Sequence, residues 1–444
     1  MFAVLASAWA LASYVRQDPN DPLVFAPGVS VGARMQFGLN VFPADWTYSG
    51  KMSEPVSVDD GLSGFGFLTL SHPGPATKPI GAPDGFVEMP CDFIGTTPVI
   101  SVFSQDGQKH RFTIDSGALH TYMRGTLAQS LNFGREDPLP MCLFLPSGRW
   151  VHFKVEVNRS IAVLAVPGSD FPADGILGMN ALTCMQLRID YRRRKLWARV
   201  STKPYEAKIA GAELGSKPGA ELVAVPLKRQ DSGRLTVDVS LGGKTLPLEL
   251  DTGANVLGIA PSTVSTLTLE KVGDGKVLVE NGASRLSKYL ASDAQVGGIR
   301  LLWPIVHEGA DPRADIGGFG PAVFPHPGVL IDYPGRCIYT LKPTNDELVE
   351  QALGQFVSGV VRLHPDGVVL DMPDVFGASR AVLAKVQDSS SASVVADLRL
   401  LIKGNAAAKA RLLALYKQVD SSDGHITIRQ DGKDSTIVIG RGAG

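Results

Sequence analysis

The sequence predicts a mainly β chain, made of two duplicated β-barrel lobes and closed by a small α+β C-terminal domain. Three observations carry this. Alternating apolar runs lead twice into an Asp-Ser/Thr-Gly-Ala turn, at Asp115 and at Asp251. A second block, ILGMNALTCMQLRIDYRRRKLW at residues 176–197, aligns without a gap on GFGPAVFPHPGVLIDYPGRCIY at 318–339. From about Thr344 the pattern changes to capped helices followed by a hairpin.

At 444 residues the chain is too long for one ordinary core and accommodates about three domains. Its 44% apolar and 20% charged residues make a globular composition. With 43 basic residues against 44 acidic ones, no bulk charge draws it to nucleic acid or an anionic membrane. Partners must therefore be chosen by local features, and no nucleic-acid partner is expected. Cys91, Cys142, Cys184 and Cys337 are too few and too scattered for a disulfide scaffold and show no zinc-ligand spacing. Buried thiols and a single bridge such as Cys91 to Cys142 both remain open.

In chain order, residues 1–15, MFAVLASAWALASYV, are uncharged and apolar, with Ala8-Trp9-Ala10 and Ala10-Leu11-Ala12 as small-residue cleavage patterns. They lack a basic leading region, so a signal peptide and a buried strand or helix are both open. The first would make the protein secreted or periplasmic; otherwise it is cytoplasmic. No other stretch could cross a bilayer, and no stable membrane span is expected. Residues 16–95 are Gly- and Pro-rich with short apolar runs, and read as an irregular β-rich segment.

Residues 96–207 form the first lobe. VISVFSQDGQKHRFTIDSGA alternates around Asp106-Gly107, and its second strand runs into Asp115. KIAGAELGSKPGAE, 208–221, reads as a linker. In the second lobe, 222–343, LTVDVSLGGKTLPLELDTGA places Val237, Val239 and Leu241, then Leu246, Leu248 and Leu250, either side of a Gly242-Gly243 turn before Asp251. Gly107 and Gly243 each lie eight residues before their Asp. Downstream, Gly178 falls on Gly320 and Ile189-Asp190-Tyr191 on Ile331-Asp332-Tyr333, all at an offset of 142. In the tail, 344–444, TNDE can form a capping box from Thr344 to Glu347, Asn405 can cap an Ala- and Leu-rich helix, and HITIRQDGKDSTIVIG reads as a hairpin turning at Asp431-Gly432.

A strand ending in Asp-Ser/Thr-Gly-Ala, followed by two apolar residues and Gly, a short helix and an IDY strand, resembles the aspartic protease family, and retropepsins in particular. The resemblance covers residues 96–342 in two copies, with DGILGMN at 174–180 the strongest instance. It implies an aspartic endopeptidase that acts on a peptide or protein substrate without metal or cofactor. Asp115 and Asp251 would be the catalytic pair, formed within one chain that is active as a monomer. Ser116 and Thr252 would brace the two loops across a pseudo-twofold axis. Gly117, Gly253, Ala118 and Ala254 would leave space, and Gly178 and Gly320 would pack behind the Asp turns. Closing flaps are expected at 145–153, with Ser147-Gly148 as tip and Trp150 nearby, and at 279–287, turning at Asn281-Gly282. The second copy departs from the pattern at Gly318-Phe319-Gly320 and at Ala322, where the first has Asn180.

Other features carry less. GVSVG at 28–32 fits an esterase nucleophile pattern but follows Pro27 and no clear strand. His120 reads as pocket wall or packing, YRRRK at 191–195 as a solvated hairpin turn, and NRS at 158–160 as a glycosylation acceptor only in a host that uses one. The rival reading is a catalytically inactive peptide-binding module of the same fold; a further one has each lobe pairing with a lobe of another chain.

Overall fold

The computed structural model describes residues 85–94, 96–103, 109–130, 139–144, 150–158, 173–201, 203–206, 220–254, 257–279, 282–291, 294–302, 304–309, 316–360, 389–421, 425–431 and 434–440, with 210 and 214 and the strand residues 23–25, 38–40, 48–57 and 66–71. The expected signal segment, the GVSVG pattern, Ser147, Gly148, Asn281 and most of the expected linker lie outside them.

The chain is mainly β, with curled sheets. The first eight-stranded sheet runs in the order Gly38–Asn40, Leu139–Phe144, Trp150–Asn158, Thr121–Arg124, Gly175–Leu177, Lys109–Ile114, Thr97–Phe103, Cys91–Ile94. Asn40 also pairs with Phe103, so the sheet curls round and closes on itself. The second large sheet centres on Leu235–Leu241, Lys244–Leu250, Gly317–Phe319 and Leu257–Ile259, and extends through Ile305–Glu308 to the hairpin Leu269–Val279/Gly282–Ala291. Alternation explains its core: Val237, Val239 and Leu241 are buried while Asp238 and Ser240 between them are exposed. Gly242 and Gly243 take φ of +56° and +85°, the left-handed pair that a tight two-residue hairpin requires.

A six-stranded sheet joins the two: Leu222–Pro226, Cys337–Leu341, Gly328–Asp332, Met185–Asp190, Lys195–Val200, Val87–Met89. Its central register sets Arg188 opposite Leu330, with Ile189 opposite Val329 and Leu187 opposite Ile331. Residues 188 and 330 differ by the offset of 142 found in the sequence, so the pairing is symmetric about that point. Gly38–Asn40 and Val87–Met89, within the segment read as irregular and β-rich, pair into the first large sheet and the joining sheet. Ala210 and Leu214, read as linker, are buried against Phe86, Trp197, Tyr205 and Tyr339, because small apolar residues there complete an aromatic cluster.

Beyond the lobes lie the helices Asn345–Val360, Ser389–Ile402 and Ala406–Ser421 and the hairpin His425–Asp431/Asp434–Gly440. Both expected caps form. Thr344 N–H donates to Glu347 Oε2 and Glu347 N–H to Thr344 Oγ1, while Ala408 N–H donates to Asn405 Oδ1. The first helix touches both lobes: Glu350 pairs with Arg192, and Gln351 Nε2 donates to Ala322 O at 3.0 Å. Among the described residues no helix is long and apolar enough to cross a membrane.

Candidate active site

The two Asp turns arise from one local arrangement used twice. Lys109–Ile114 runs parallel to Gly175–Leu177, and Asp115 N–H continues the ladder by donating to Leu177 O at 3.1 Å. Lys244–Leu250 runs parallel to Gly317–Phe319, and Asp251 N–H donates to Phe319 O at 3.0 Å. Each chain then turns back: Ala118 N–H reaches Asp115 O and Ala254 N–H reaches Asp251 O. Inside each turn the Gly two residues on donates its N–H to the carboxyl Oδ1, both at 2.8 Å, which fixes the side chain's aim.

What brings the turns together is a crossed set of hydrogen bonds. Ser116 N–H donates to Thr252 Oγ1 and Thr252 N–H to Ser116 Oγ, both at 3.0 Å. Each hydroxyl also donates across, Ser116 Oγ to Leu250 O at 2.8 Å and Thr252 Oγ1 to Ile114 O at 2.9 Å. Every one of these groups is buried, so losing a partner would leave an unsatisfied polar atom. A further tie, unread in the sequence, is Thr97 Oγ1 donating to Gly253 O at 2.9 Å.

Asp115 and Asp251 therefore converge. A methyl placed on Gly117 would sit 2.9 Å from Asp251 Cγ, and one on Gly253 3.0 Å from Asp115 Cγ. Only glycine lets each turn approach the other's carboxyl so closely. The carboxyls keep some open surface, yet burial pushes Asp115 well above the usual carboxylate range, and the Asp251 charge and hydrogen bond push it further. Burial raises Asp251 too, opposed by its hydrogen bonds from Asp115 and Gly253. Two carboxyls this close and this buried do not both ionise readily, so the pair holds one shared proton.

Glu249, which the sequence reading passed over, is a third acid here. It lies two residues before Asp251, on the same face of the strand, and is 8% exposed. Its Oε2 accepts from Arg234 Nη1 at 2.7 Å, while Oε1 is buried with no hydrogen-bond partner among the described residues. Burial raises its pKa to about 7 against the pull of Arg234, and the Asp115 charge adds to the rise. The first lobe has Thr113 at the matching position. A polar residue in an apolar run, ELDTGA, was the available signal.

Gly178 packs as expected: a Cβ there would lie 2.1 Å from His120 O. Thr121 Oγ1 receives Gly178 N–H and donates to Asn180 Oδ1, pinning the first lobe's loop. In the second lobe Ala322 has no such side chain, and the bond from Gln351 to its carbonyl holds that stretch instead. Gly320 is buried at the start of the turn Pro321–Val323, and at Gly317 a Cβ would meet Gly258 O at 2.0 Å.

The hairpins Leu139–Phe144/Trp150–Asn158 and Leu269–Val279/Gly282–Ala291 stand where flaps were expected, with Phe144 paired to Trp150 and Val279 to Gly282. His120 is half-exposed and faces Glu156 at 3.5 Å rather than an Asp. The YRRRK turn is not merely solvated. Arg192 pairs with Glu350, Arg194 Nη2 donates to Phe93 O, and Arg193, at 75% side-chain exposure, faces Asp190 Oδ2 at 3.7 Å. Cys91, Cys184 and Cys337 are free thiols, so the Cys91 to Cys142 bridge does not form. No cluster of three metal-ligating side chains occurs among the described residues.

No protein-family model matches the chain, and no curated protein does. Among solved structures, a retropepsin-like aspartic protease from Rickettsia conorii is similar to part of it, 17% identical, covering 28% of this chain and 92% of that one, at a TM-score of 0.23.

Proposed function

We propose that the chain is an aspartic endopeptidase whose two lobes are a duplicated unit contributing one carboxyl each, Asp115 and Asp251, to a dyad within a single chain. The observation that carries this is the crossed bonding of Ser116 and Thr252, which holds the two carboxyls as one buried, proton-sharing pair. Asp251, ionised, takes a proton from a water, and the oxygen attacks the scissile carbonyl carbon. Asp115, protonated, hydrogen-bonds the carbonyl oxygen and passes its proton to it, giving a tetrahedral diol. Return of the Asp251 proton to the amide nitrogen, with Asp115 recovering its own from a diol hydroxyl, breaks the C–N bond and restores the starting state. The two hairpins close over a peptide lying between the lobes. Digestion of a diverse peptide library from acid to neutral pH tests the reading. Cleavage should be blocked by a transition-state-mimicking aspartic protease inhibitor, and cleavage untouched by it would sink the mechanism.

Glu249 gives this reading a pH signature. When ionised it opposes ionisation of Asp251 and is itself raised by Asp115, so it helps keep the shared proton in place as pH rises. Glu249→Gln removes that charge and leaves Arg234 uncompensated, and both changes lower the dyad's pKa. The basic limb of the kcat/KM profile is expected to move to lower pH. The acid limb should stay, because Glu249 is already neutral there. A basic limb that stays in place or moves upward would show that Glu249 does not act on the dyad.

A further inference from the structure

The helix Asn345–Val360, which follows the second lobe's last strand, is enclosed more completely than a surface helix would be. Leu348, Val349, Glu350, Gln351 and Ala352 are all buried, five in a row. A helix packed on one face buries a stripe with solvent-facing residues between. Five consecutive buried residues exceed one turn, so here the helix is covered on every side. Two of the five are polar, Glu350 and Gln351.

Buried polar groups need partners, and the partners of these two lie on opposite lobes. Glu350 pairs with Arg192, in the first lobe's turn after Met185–Asp190. Gln351 Nε2 donates to Ala322 O at 3.0 Å, in the second lobe's turn Pro321–Val323. One step along the helix therefore joins the two lobes, and His326 Nε2 facing Glu347 Oε1 at 3.9 Å adds a contact one turn earlier. Gln351 Oε1 is buried with no hydrogen-bond partner among the described residues. The amide thus sits there at a desolvation cost that an apolar side chain would avoid, and the bond it does make calls for a reason.

The segment that this bond holds supplies one. Ala322 lies three residues after Phe319, whose carbonyl accepts Asp251 N–H at 3.0 Å. Val323 N–H closes the turn onto Gly320 O at 3.0 Å, Phe324 N–H onto Pro321 O at 3.2 Å, and Phe324 returns edge-on to Phe319 with ring centroids 5.3 Å apart. Holding Ala322 therefore holds Phe319, and Phe319 holds the backbone of Asp251. In the first lobe the corresponding loop is tied from within, by Thr121 Oγ1 between Gly178 N–H and Asn180 Oδ1. In the second, Leu257 and Ala322 stand at the matching positions, and neither side chain can make that tie.

We propose that Gln351 is a positioning residue for Asp251. The helix Asn345–Val360, anchored on the first lobe through Glu350 and Arg192, supplies from outside the second lobe the polar tie that Thr121 and Asn180 supply inside the first. The C-terminal domain thereby sets the aim of one carboxyl of the pair. Its effect on catalysis rests on the peptidase reading; its effect on the Asp251 turn does not.

Gln351→Met keeps an unbranched side chain of similar length and removes the amide. Amide hydrogen exchange measured by NMR on the full chain should show protection at Asp251 and Val323 falling about 10-fold, with Asp115 in the first lobe and Leu187 and Ile331 in the joining sheet unchanged. Glu350→Gln should lower protection at the same two amides by a smaller factor. The double variant should lose no more than Gln351→Met alone, because Glu350 acts through Gln351. Under the peptidase reading kcat should fall about 10-fold in Gln351→Met with KM unchanged, the split expected when only the reacting groups lose alignment. Unaltered protection at Asp251, equal loss at Asp115 or across the joining sheet, or additive losses in the double variant would overturn the proposal. A wild-type chain that cleaves no peptide would instead overturn the peptidase reading, while the exchange measurement would still decide the role of Gln351.

Discussion

Asp115→Asn and Asp251→Asn are each expected to lower kcat for peptide cleavage by about 10⁴-fold, the size seen when one member of a catalytic unit is removed. Asn keeps the shape and still accepts the Gly117 or Gly253 N–H at Oδ1, so the turn survives while proton transfer stops. A second effect separates Asp115→Asn from a folding defect. The folded-state pKa of Asp115 is raised above its unfolded value, so the stability it contributes is fully present below the ordinary carboxylate range, about 4. That stability is lost as pH rises through the raised folded value. Asn carries no such penalty. Thermal unfolding should therefore show the variant gaining on the wild type between pH 4 and neutrality while its activity is lost. A variant less stable than the wild type at pH 7 would contradict the burial argument.

Gly178→Ala and Gly317→Ala are expected to cost the fold about 3 kcal/mol each, at the top of the usual overpacking range. The added Cβ would meet His120 O at 2.1 Å, His120 C at 2.5 Å and Ala118 O at 2.8 Å in the first case. In the second it would meet Gly258 O at 2.0 Å and Gly258 C at 2.7 Å. All are backbone atoms, so no rotamer change relieves the clash and the segment behind the Asp turn must move. Loss of the Met179 N–H to Ala118 O bond would follow in the first lobe. Gly318→Ala is the control, since its Cβ comes no nearer than 3.7 Å to Asp251 Oδ2. Denaturant unfolding should place it near the wild type, and equal destabilisation by all three would show that the clash is not the cause.

Gly317, packed against Gly258 O, shows where the sequence is readable. Motif spacing located the strand alongside Asp251, because hydrophobic alternation and an Asp-Thr-Gly turn are local patterns. It could not say that Gly317 rather than Gly318 makes the tight approach to another strand, since that depends on Gly258, far away in sequence. The offset of 142 read between the two IDY segments equals the separation of the facing residues Arg188 and Leu330. Ser116 and Thr252 were legible through the resemblance, but Thr97 was not, as its partner Gly253 comes from another part of the chain. Arg194 and Arg336 also escaped notice. They take φ of 54° and 50° in the turns after the two IDY strands, where composition alone would favour Gly or Asn. Glu249 was missed because period-two alternation says which face a side chain takes, not which charges wait on that face.

The most direct test of the single-chain dyad separates the wild-type protein by size and assays the fractions for inhibitor-sensitive peptide cleavage, beside Asp115→Asn, Asp251→Asn and an equimolar mixture of the two variants. Expected is cleavage in the monomer fraction of the wild type, with none recovered in either variant or in their mixture. Activity confined to a dimer fraction, or restored by mixing the two variants, would contradict a dyad formed within one chain.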